Sequence, residues 1–271
     1  MKIQKGNFRF LRYPGGKTKL LSYLSEFLPD TIPGKYIEPF VGGGAVYMFM
    51  SPEKALLSDL NNELIELYRG IKNYPHKVWE TYHSFPAGKT GYYKIRNEKR
   101  EKAPLYYRAA RTLYLNRTCF KGMWRHNLQG DFNVGYGGEE RRWVISHENI
   151  IDLSRLLRKS AITSCDFNKT LNAAVTGDFI FLDPPYKPGE KEMDHSHYIN
   201  GRFAFSEQQR LAAKLKEVSA LGGVKWLMTN SSHPSICELY KDFTIRKIPK
   251  GTSNVVGVFS NNLNEVLISN Y

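Results

Sequence analysis

Apolar and polar residues follow two different patterns along this chain of 271 residues. Toward both ends, short apolar runs bounded by turn residues alternate with amphipathic stretches, as strands alternate with helices in α/β proteins. Strands are predicted at 36–38, 55–57, 161–165, 179–182, 224–228, 243–248 and 265–268. We therefore expect an α/β fold with a Rossmann-like, doubly wound, mostly parallel sheet, which binds ligands at the carboxyl ends of its strands.

The middle of the chain has a different pattern. Polar and aromatic helical stretches follow one another there with no buried strand between them, at 62–73, 75–84, 91–99 and 104–116. The glycine-rich, aromatic and basic segment 117–138 then predicts a hairpin with long loops. We expect residues 1–60 and 143–271 to form one domain, and residues 61–142 to form an inserted helical domain that bears the hairpin.

Three helices of the α/β part carry their own signals. An amphipathic pattern predicts a helix over 18–28. Ser146 is the predicted N-cap of a helix that runs to Leu157. Ser206 has the capping-box spacing that would open a third helix, which Gly222 and Gly223 would end.

The charge of the chain changes the expectation about partners. Lysine and arginine number 39 against 26 aspartates and glutamates, which gives a net charge of +13. This balance favours a polyanionic partner, and nucleic acid is the first candidate. A basic surface without any binding role is the alternative.

The cysteines and histidines indicate neither disulfides nor a metal site. Cys119, Cys165 and Cys237 are widely spaced and form no CxxC motif, which favours a reducing, cytoplasmic location. His195 and His197 have no further ligands at a suitable spacing, so we expect loop histidines and no metal. We find no apolar signal core, and no run approaches the roughly 20 apolar residues that cross a bilayer.

The sequence Asp183-Pro184-Pro185-Tyr186 follows a buried strand and offers specific chemistry. The prolines stiffen the segment and have no N–H, so their carbonyls are free to accept from a ligand. Asp183 and the Pro184 carbonyl could hold an exocyclic amine of a planar base, while Tyr186 stacks on the ring. A plain strand end with a proline turn and a surface tyrosine is the alternative.

A glycine turn follows the first predicted strand. Gly42, Gly43 and Gly44 allow a tight turn and a close approach to a ligand. Tyr47 stands where the dinucleotide pattern GxGxxG requires Gly or Ala, which argues against a pyrophosphate site. A cofactor with one nucleoside and no phosphates fits better, and Asp59 could accept from its ribose hydroxyls. A purely structural glycine turn is the alternative.

Five sequence blocks together resemble one family. They are residues 10–17 (FLRYPGGK), 38–44 (EPFVGGG), 115–117 (LNR), 130–134 (GDFNV) and 183–186 (DPPY). In sequence and order they are similar to the Dam-type DNA adenine-N6 methyltransferases, of the class alpha amino-methyltransferases. The resemblance implies an enzyme with S-adenosyl-L-methionine as cofactor and double-stranded DNA as substrate. It also implies that 1–60 with 143–271 is the catalytic domain and that 61–142 is the target-recognition domain.

The resemblance assigns roles residue by residue. The catalytic residues would be Asp183, Pro184, Pro185 and Tyr186. The cofactor-binding residues would be Tyr13, Lys17, Glu38, Phe40, Gly42, Gly44, Asp59, Asp166, Phe167 and Asp183. The DNA-binding residues would be Arg12, Phe120, Lys121, Met123, Arg125 and Asn133. The plainer interpretations are a helix-start lysine for Lys17, a helix cap for Asp166 and a phosphate contact instead of guanine readout for Arg125.

The implied function is site-specific methyl transfer to N6 of an adenine flipped out of duplex DNA. GATC is the usual site in the family, but Lys121 and Gly135 depart from the family pattern. Alternatives are an RNA adenine or cytosine-N4 methyltransferase, or a DNA-binding relative without catalysis. A cognate restriction endonuclease is a candidate partner, and a monomer is expected. We expect the loop 187–201 to close over the base, and weaker phosphate contacts from the loop 251–262 than in relatives.

Overall fold

The computed structural model of the protein describes residues 10–13, 15–127, 129–186, 203–249 and 265–271. Seven strands form one sheet in the order β3-β2-β1-β4-β5-β7-β6. They are β1 Tyr36–Glu38, β2 Ala55–Asp59, β3 Ser160–Ser164, β4 Phe179–Leu182, β5 Lys225–Ser231, β6 Thr244–Lys247 and β7 Glu265–Ser269. The first five are parallel, and β7 pairs antiparallel with β5 and β6. The predicted α/β fold is confirmed.

Ten α-helices accompany the sheet in the described residues. They are α1 Leu21–Leu24, α2 Ala45–Met50, α3 Asn62–Asn73, α4 Pro75–Ser84, α5 Gly88–Asn97, α6 Leu105–Thr118, α7 His147–Leu157, α8 Phe167–Leu171, α9 Phe205–Ala220 and α10 Pro234–Leu239. Short 3-10 helices occupy Lys17–Leu20, Phe120–Gly122 and Arg142–Val144.

The central strands are buried on both faces, as their continuous apolar runs require. Tyr36 and Phe179 belong to one core cluster, which also contains the inner faces of α3, α6 and α7. Ile37 and Ile180 belong to a second cluster with α9 and β5. Because side chains of a strand alternate between faces, neighbouring residues of β1 and β4 fill both layers.

The chain order of the sheet reverses between β1 and β4. From β1 the sheet continues through β2 to β3, and from β4 it continues to β5 in the other direction. Helices after these two strands lie on opposite sides, so a crevice opens at the carboxyl ends. This switch point is where the Asp183 segment and the glycine turn meet.

The helices between β2 and β3 pack closely with one another. The side chain of Asn61 caps α3 by accepting from the Leu64 N–H at 3.2 Å. α6 packs against α3, α4 and α5, and α3 also contacts β2, β3 and α7. On α3, Glu63 receives Arg100 at 2.6 Å and His126 at 2.9 Å, and both Glu63 and His126 are buried.

A hairpin follows α6, and its residues 119–136 are called the projecting hairpin. Two isolated antiparallel bridges pair its arms, Cys119 with Tyr136 and His126 with Phe132. A Cβ on Gly137 would lie 2.4 Å from the Cys119 carbonyl oxygen, so this position needs glycine. The predicted hairpin forms, and backbone hydrogen bonds between its arms, such as the Phe120 N–H to the Gly135 carbonyl at 2.8 Å, hold it together with side-chain contacts.

Three predicted helix starts differ from the structure. The helix predicted over 91–99 is α5, Gly88–Asn97, which begins three residues earlier. The helix expected over 18–28 is a 3-10 turn at Lys17–Leu20 followed by α1, which ends at Leu24. Lys17 turns into the interior, and no side-chain cap supports a regular helix there. The third helix begins at Phe205 with Ala204 as N-cap, so Ser206 lies inside it. Phe205 packs on the second core cluster, and the N-cap lies two residues before the predicted one.

Two predicted segments lie outside the described residues. The loop 187–201, with His195 and His197, falls in the first, and the loop 251–262 falls in the second. Across the described ranges, no three histidine, cysteine or acidic side chains are grouped as a metal site would require. The same ranges contain no helix that is both long and apolar enough to cross a membrane.

Candidate active site

A cavity of about 780 Å³ opens at the switch point of the sheet. Every predicted catalytic and cofactor-binding residue lines it: Tyr13, Lys17, Glu38, Phe40, Gly42, Gly44, Asp59, Asp166, Phe167, Asp183, Pro184, Pro185 and Tyr186. These residues come from the ends of four parallel strands and from the N-terminal segment. The fold thus brings them together, and their individual roles remain predictions.

The glycine turn between β1 and α2 needs its glycines. Gly42 has φ 45° and Gly44 has φ 64°, in the left-handed region that favours glycine. A Cβ on Gly44 would lie 2.9 Å from the hydroxyl oxygen of Tyr68, and that hydroxyl donates to the Gly42 carbonyl at 2.8 Å. α3 therefore fixes the turn from behind while its other side faces the cavity.

Asp59 ends β2 and holds the same turn. Its carboxylate accepts from the Gly42 N–H at 3.0 Å and from the Asn61 N–H at 2.9 Å. Burial raises the pKa of Asp59 to about 6. Each carboxylate oxygen can accept more than one hydrogen bond, so Asp59 can also receive ribose hydroxyls from a ligand in the cavity.

An aromatic wall lies on the other side of the cavity. The Phe40 ring is 5.5 Å from the Phe167 ring and 5.8 Å from the Phe203 ring, centroid to centroid. All three residues line the cavity. A planar heterocycle can pack against such a wall, because aromatic faces and edges suit offset or perpendicular stacking.

Asp166 has a structural partner as well as a place in the cavity. Its carboxylate receives Arg210 at 2.9 and 2.7 Å, and this pairing is the largest of the influences that hold the pKa of Asp166 below its usual value. It also caps α8 by accepting from the Asn168 N–H at 2.9 Å. Asp166 is therefore a helix cap, as the plainer interpretation predicts, and it also lines the cavity.

Lys17 and Asp183 form a buried ion pair at the centre of the cavity. The Lys17 Nζ lies 2.8 Å from Asp183 Oδ1, 2.9 Å from the Gly15 carbonyl oxygen and 4.9 Å from the centre of the Tyr186 ring. Burial alone would lower the pKa of Lys17, but the neighbouring Asp183, Tyr186 and Glu265 together outweigh burial and raise that pKa. Lys17 therefore stays cationic, unlike an ordinary exposed helix-start lysine.

The two carboxylate oxygens of Asp183 differ: Oδ1 contacts Lys17 and Thr229, whereas Oδ2 has no hydrogen-bond partner among the described residues. Thr229 of β5 donates to the same Oδ1 at 2.8 Å. Within the described ranges, no hydrogen bond or ion pair reaches Asp183 Oδ2 or the Pro184 carbonyl. Two acceptors at one strand end are therefore available to a ligand amine.

The proline turn is anchored from behind. Gln208 of α9 is buried and donates to the Pro185 carbonyl at 2.8 Å. Its side-chain oxygen accepts from Asn230 Nδ2 at 3.0 Å. Because Gln208 bonds to the Pro185 carbonyl, it fixes the turn and leaves the Pro184 carbonyl available.

Other carboxyls in the cavity are shifted by their surroundings. Burial raises the pKa of Glu38 well above its usual value, although its Oε2 accepts from the Tyr36 hydroxyl at 2.8 Å. Burial also raises the pKa of Glu265, which begins β7 beside Lys17 and Asp183. Burial thus disfavours the charged form of these two carboxyls beside Lys17 and Asp183.

The predicted DNA-binding residues lie outside the cavity, on and beside the projecting hairpin. Arg125 donates from Nε to Asn133 Oδ1 at 2.9 Å, and the Asn133 N–H donates to the Arg125 carbonyl at 3.1 Å. Phe120 is 49% exposed and Lys121, with φ 51°, sits over its ring. Met123 packs partly buried against the first core cluster.

Arg12 joins this surface from the N-terminal segment. Its backbone N–H donates to Asn116 Oδ1 at 2.9 Å, and Asn116 Nδ2 donates back to the Arg12 carbonyl at 2.8 Å. Its side chain covers Gly122, where a Cβ would be only 2.2 Å from Arg12 Cβ. The buried Asn116 of the LNR block therefore holds Arg12 beside the hairpin.

Sequence reasoning missed several residues of this site. Thr229, Gln208 and Glu265 reach the cavity or its proline turn from strands and helices late in the chain, and Trp124 reaches it from the hairpin. The strand pattern of 224–228 marked β5 as a neighbour of β4, so Thr229 had a signal. Trp124 had none, because its position depends on how the hairpin folds back.

Comparisons with known proteins agree with this geometry. The D12 class N6 adenine-specific DNA methyltransferase family model matches residues 13–253. The chain is 34% identical to Type II methyltransferase M1.LlaDCHI of Lactococcus lactis subsp. cremoris, over 97% of this chain and 95% of the relative. It is 32% identical to Type II methyltransferase M.MjaIII of Methanocaldococcus jannaschii, over 97% and 98%. It is 29% identical to a DNA adenine methylase of Serratia marcescens, over 83% and 84%. The chain belongs to the D12 class of N6 adenine-specific DNA methyltransferases.

Proposed function

We propose that the residues of the cavity methylate N6 of a flipped-out adenine within a short DNA site, GATC or a related sequence. The family fixes the reaction class and its cofactor, S-adenosylmethionine. The proposal adds which residues act and how. The observation that carries it is Asp183, held through one oxygen by Lys17 and Thr229 while its other oxygen and the Pro184 carbonyl remain available.

The cavity has the right chemistry for the cofactor. A volume of about 780 Å³ lies in the range of ligand and cofactor sites. Asp59 would accept from the ribose hydroxyls, and the wall of Phe40 and Phe167 would hold the adenine ring. Glycine at position 42 leaves room for the Tyr13 ring, which lines the cavity and would lie 3.2 Å from a Cβ there. When bound, S-adenosylmethionine supplies an electrophilic methyl group.

The strand-end acceptors would activate the target nitrogen. The N6 amine is a weak nucleophile, because its lone pair is delocalised into the adenine ring. Asp183 Oδ2 and the Pro184 carbonyl would each accept one N6–H, which favours the form of the amine that uses its lone pair. As the N–CH3 bond forms and the S–CH3 bond breaks, N6 becomes positive, and nearby acceptors stabilise that charge. One N6 proton then leaves to solvent, so no strong base is needed.

The remaining catalytic residues would hold the base and its acceptor in place. An adenine inside the duplex cannot reach the cavity, so it must leave the stack at a cost of a few kcal/mol. Tyr186 would stack on it and recover part of this cost. Lys17 would keep Asp183 oriented, since its Nζ lies 2.8 Å from Asp183 Oδ1.

The inserted residues 61–142 would form the target-recognition domain. Arg125 would read guanine through its two terminal nitrogens, because Asn133 already occupies Nε. Arg12, Phe120, Lys121 and Met123 would contact the DNA around the flipped base. Lys121 and Gly135 depart from the pattern of GATC relatives and would modify the choice of flanking bases.

The remaining expectations concern partners. Relatives are named Type II methyltransferases, and we include a cognate restriction endonuclease of the same specificity in the proposal. We also propose that the protein acts on DNA as a monomer in the cytoplasm, since one chain supplies both the cavity and the hairpin.

Asp183→Ala tests the proposed mechanism. The variant should bind DNA as wild type does but lose about 100-fold or more in the rate of methyl transfer, because the lost contact forms mainly in the transition state. Single-turnover transfer of labelled methyl groups measures this rate. Asp152→Ala, at an exposed acid of α7, is the matched control. Wild-type turnover by Asp183→Ala would overturn the mechanism.

A further inference from the structure

Trp124 connects the projecting hairpin to the cavity. It precedes Arg125 in the hairpin, yet its side chain lines the cavity beside the glycine turn. The hairpin residues that are proposed to bind DNA do not line that cavity. One residue therefore belongs to both surfaces.

A continuous aromatic layer runs from the glycine turn to the hairpin. A Cβ added to Gly42 would lie 3.2 Å from the Tyr13 ring, so this ring rests directly on the turn. Tyr13 lies 5.7 Å from Trp124, and Trp124 lies 6.3 Å from Phe132, centroid to centroid. Displacement of any ring in this layer has to move the next one, because the rings are in contact.

The residues after Trp124 are fixed on the far side. His126 bonds to Glu63 at 2.9 Å and pairs with Phe132 across the hairpin. Arg125 is held to Asn133 through both backbone and side chain. Arg125, the proposed reader of guanine, is therefore joined directly to Trp124 in the chain and held to Asn133 across the hairpin.

The indole N–H of Trp124 is an unsatisfied donor. Its Nε1 is buried and, among the described residues, has no hydrogen-bond partner. Buried donors in folded proteins are nearly always paired, so such an exception calls for an explanation. A ligand in the cavity that shifts the ring and accepts this hydrogen would provide one.

We propose that Trp124 contacts the bound cofactor and thereby couples cofactor binding to the position of Arg125. The inference rests on the proposed function, in which this cavity is the cofactor site. Cofactor binding would fix the Tyr13 and Trp124 rings, and the fixed hairpin would then bind and discriminate DNA more strongly. By linkage, DNA would strengthen cofactor binding by the same factor.

Titration with S-adenosylhomocysteine tests the contact directly. Tryptophan fluorescence of the wild-type protein should change with the same Kd that calorimetry gives. Trp124→Phe keeps an aromatic ring but removes the indole, and should bind the ligand with almost no fluorescence change. Trp143→Phe is the matched control, because Trp143 is half exposed and does not line the cavity, and it should keep the full change.

Coupling is then measured as the ratio of DNA affinities with and without S-adenosylhomocysteine. The ratio should be about fivefold or more for wild type and Trp143→Phe, and close to one for Trp124→Phe. If Trp124→Phe showed the full fluorescence change, or the same affinity ratio as the wild type, the inference about Trp124 would be wrong and the proposed cofactor site would be unaffected. A signal that appears only when DNA is added would have the same meaning. Absence of calorimetric binding to the wild type would instead overturn the cofactor site itself.

Discussion

The cavity and the projecting hairpin are built in opposite ways. The cavity residues follow the ends of hydrogen-bonded parallel strands, so the sheet fixes their positions. The hairpin has two isolated bridges and a few backbone hydrogen bonds between its arms, supported by side-chain contacts such as Arg125 with Asn133 and His126 with Glu63. In the proposed function, the chemistry therefore sits on strand ends that the sheet holds, and the choice of DNA sequence on hairpin contacts that single substitutions can change.

Removing the buried cation should have the largest effect on stability. Lys17→Met leaves the Asp183 charge unpaired in the cavity, and we expect the free energy of unfolding to fall by about 3 kcal/mol. Urea denaturation measures the change. Lys241→Met breaks the exposed pair with Glu238 and should cost less than about 1 kcal/mol. Equal effects of the two variants would contradict the buried role of Lys17.

Arg125→Ala should affect specificity and leave the cavity intact. We expect loss of about 1–3 kcal/mol of discrimination at one base pair, because a bidentate contact to guanine disappears. Competition binding with DNA duplexes that differ at single positions measures this loss. A uniform drop in affinity on every duplex would instead identify Arg125 as a phosphate contact.

The pKa of Asp59 predicts how cofactor affinity depends on pH. Burial raises that pKa to about 6, so Asp59 is ionised at neutral pH and protonated below 6. A protonated carboxyl accepts ribose hydroxyls less well, so affinity should fall as pH drops, by about tenfold between pH 7 and pH 5. Calorimetric titration with S-adenosylhomocysteine measures it. Asp59→Asn should bind weakly with little dependence on pH; a slope equal to that of the wild type would assign the titration to another group.

Asn133→Ala should have the smallest effect of these substitutions. It distinguishes a residue that positions Arg125 from one that contacts DNA itself. Loss of its bond to Arg125 Nε should cost about 0.5–1.5 kcal/mol of discrimination at the same base pair that Arg125 reads. In a double-mutant cycle, Asn133→Ala should add nothing to Arg125→Ala. An additive loss would mean that Asn133 contacts DNA independently.

The sequence predicted the cavity better than the hairpin, for physical reasons. The bounds of α3 are those predicted, because Asn61 caps its start and Pro75 follows its end. The apolar run of β4 likewise predicts a strand that ends just before Asp183. In a doubly wound sheet, the carboxyl end of such a strand lies at the crevice. Short helices such as α8 and α10 were not predicted, because five or six residues carry little periodic signal. Trp124 entered the cavity through contacts with Tyr13 and Phe132, which no local pattern encodes.

Sequencing of DNA modified by the purified protein separates the role proposed for the cavity from the role proposed for the hairpin. Wild-type protein with S-adenosylmethionine should leave N6-methyladenine at one short sequence, and Arg125→Ala should spread the same modification to sites that differ at one base pair. That outcome would show that the cavity performs the chemistry and the hairpin chooses the site. N4-methylcytosine, or an unchanged site preference in Arg125→Ala, would contradict the account.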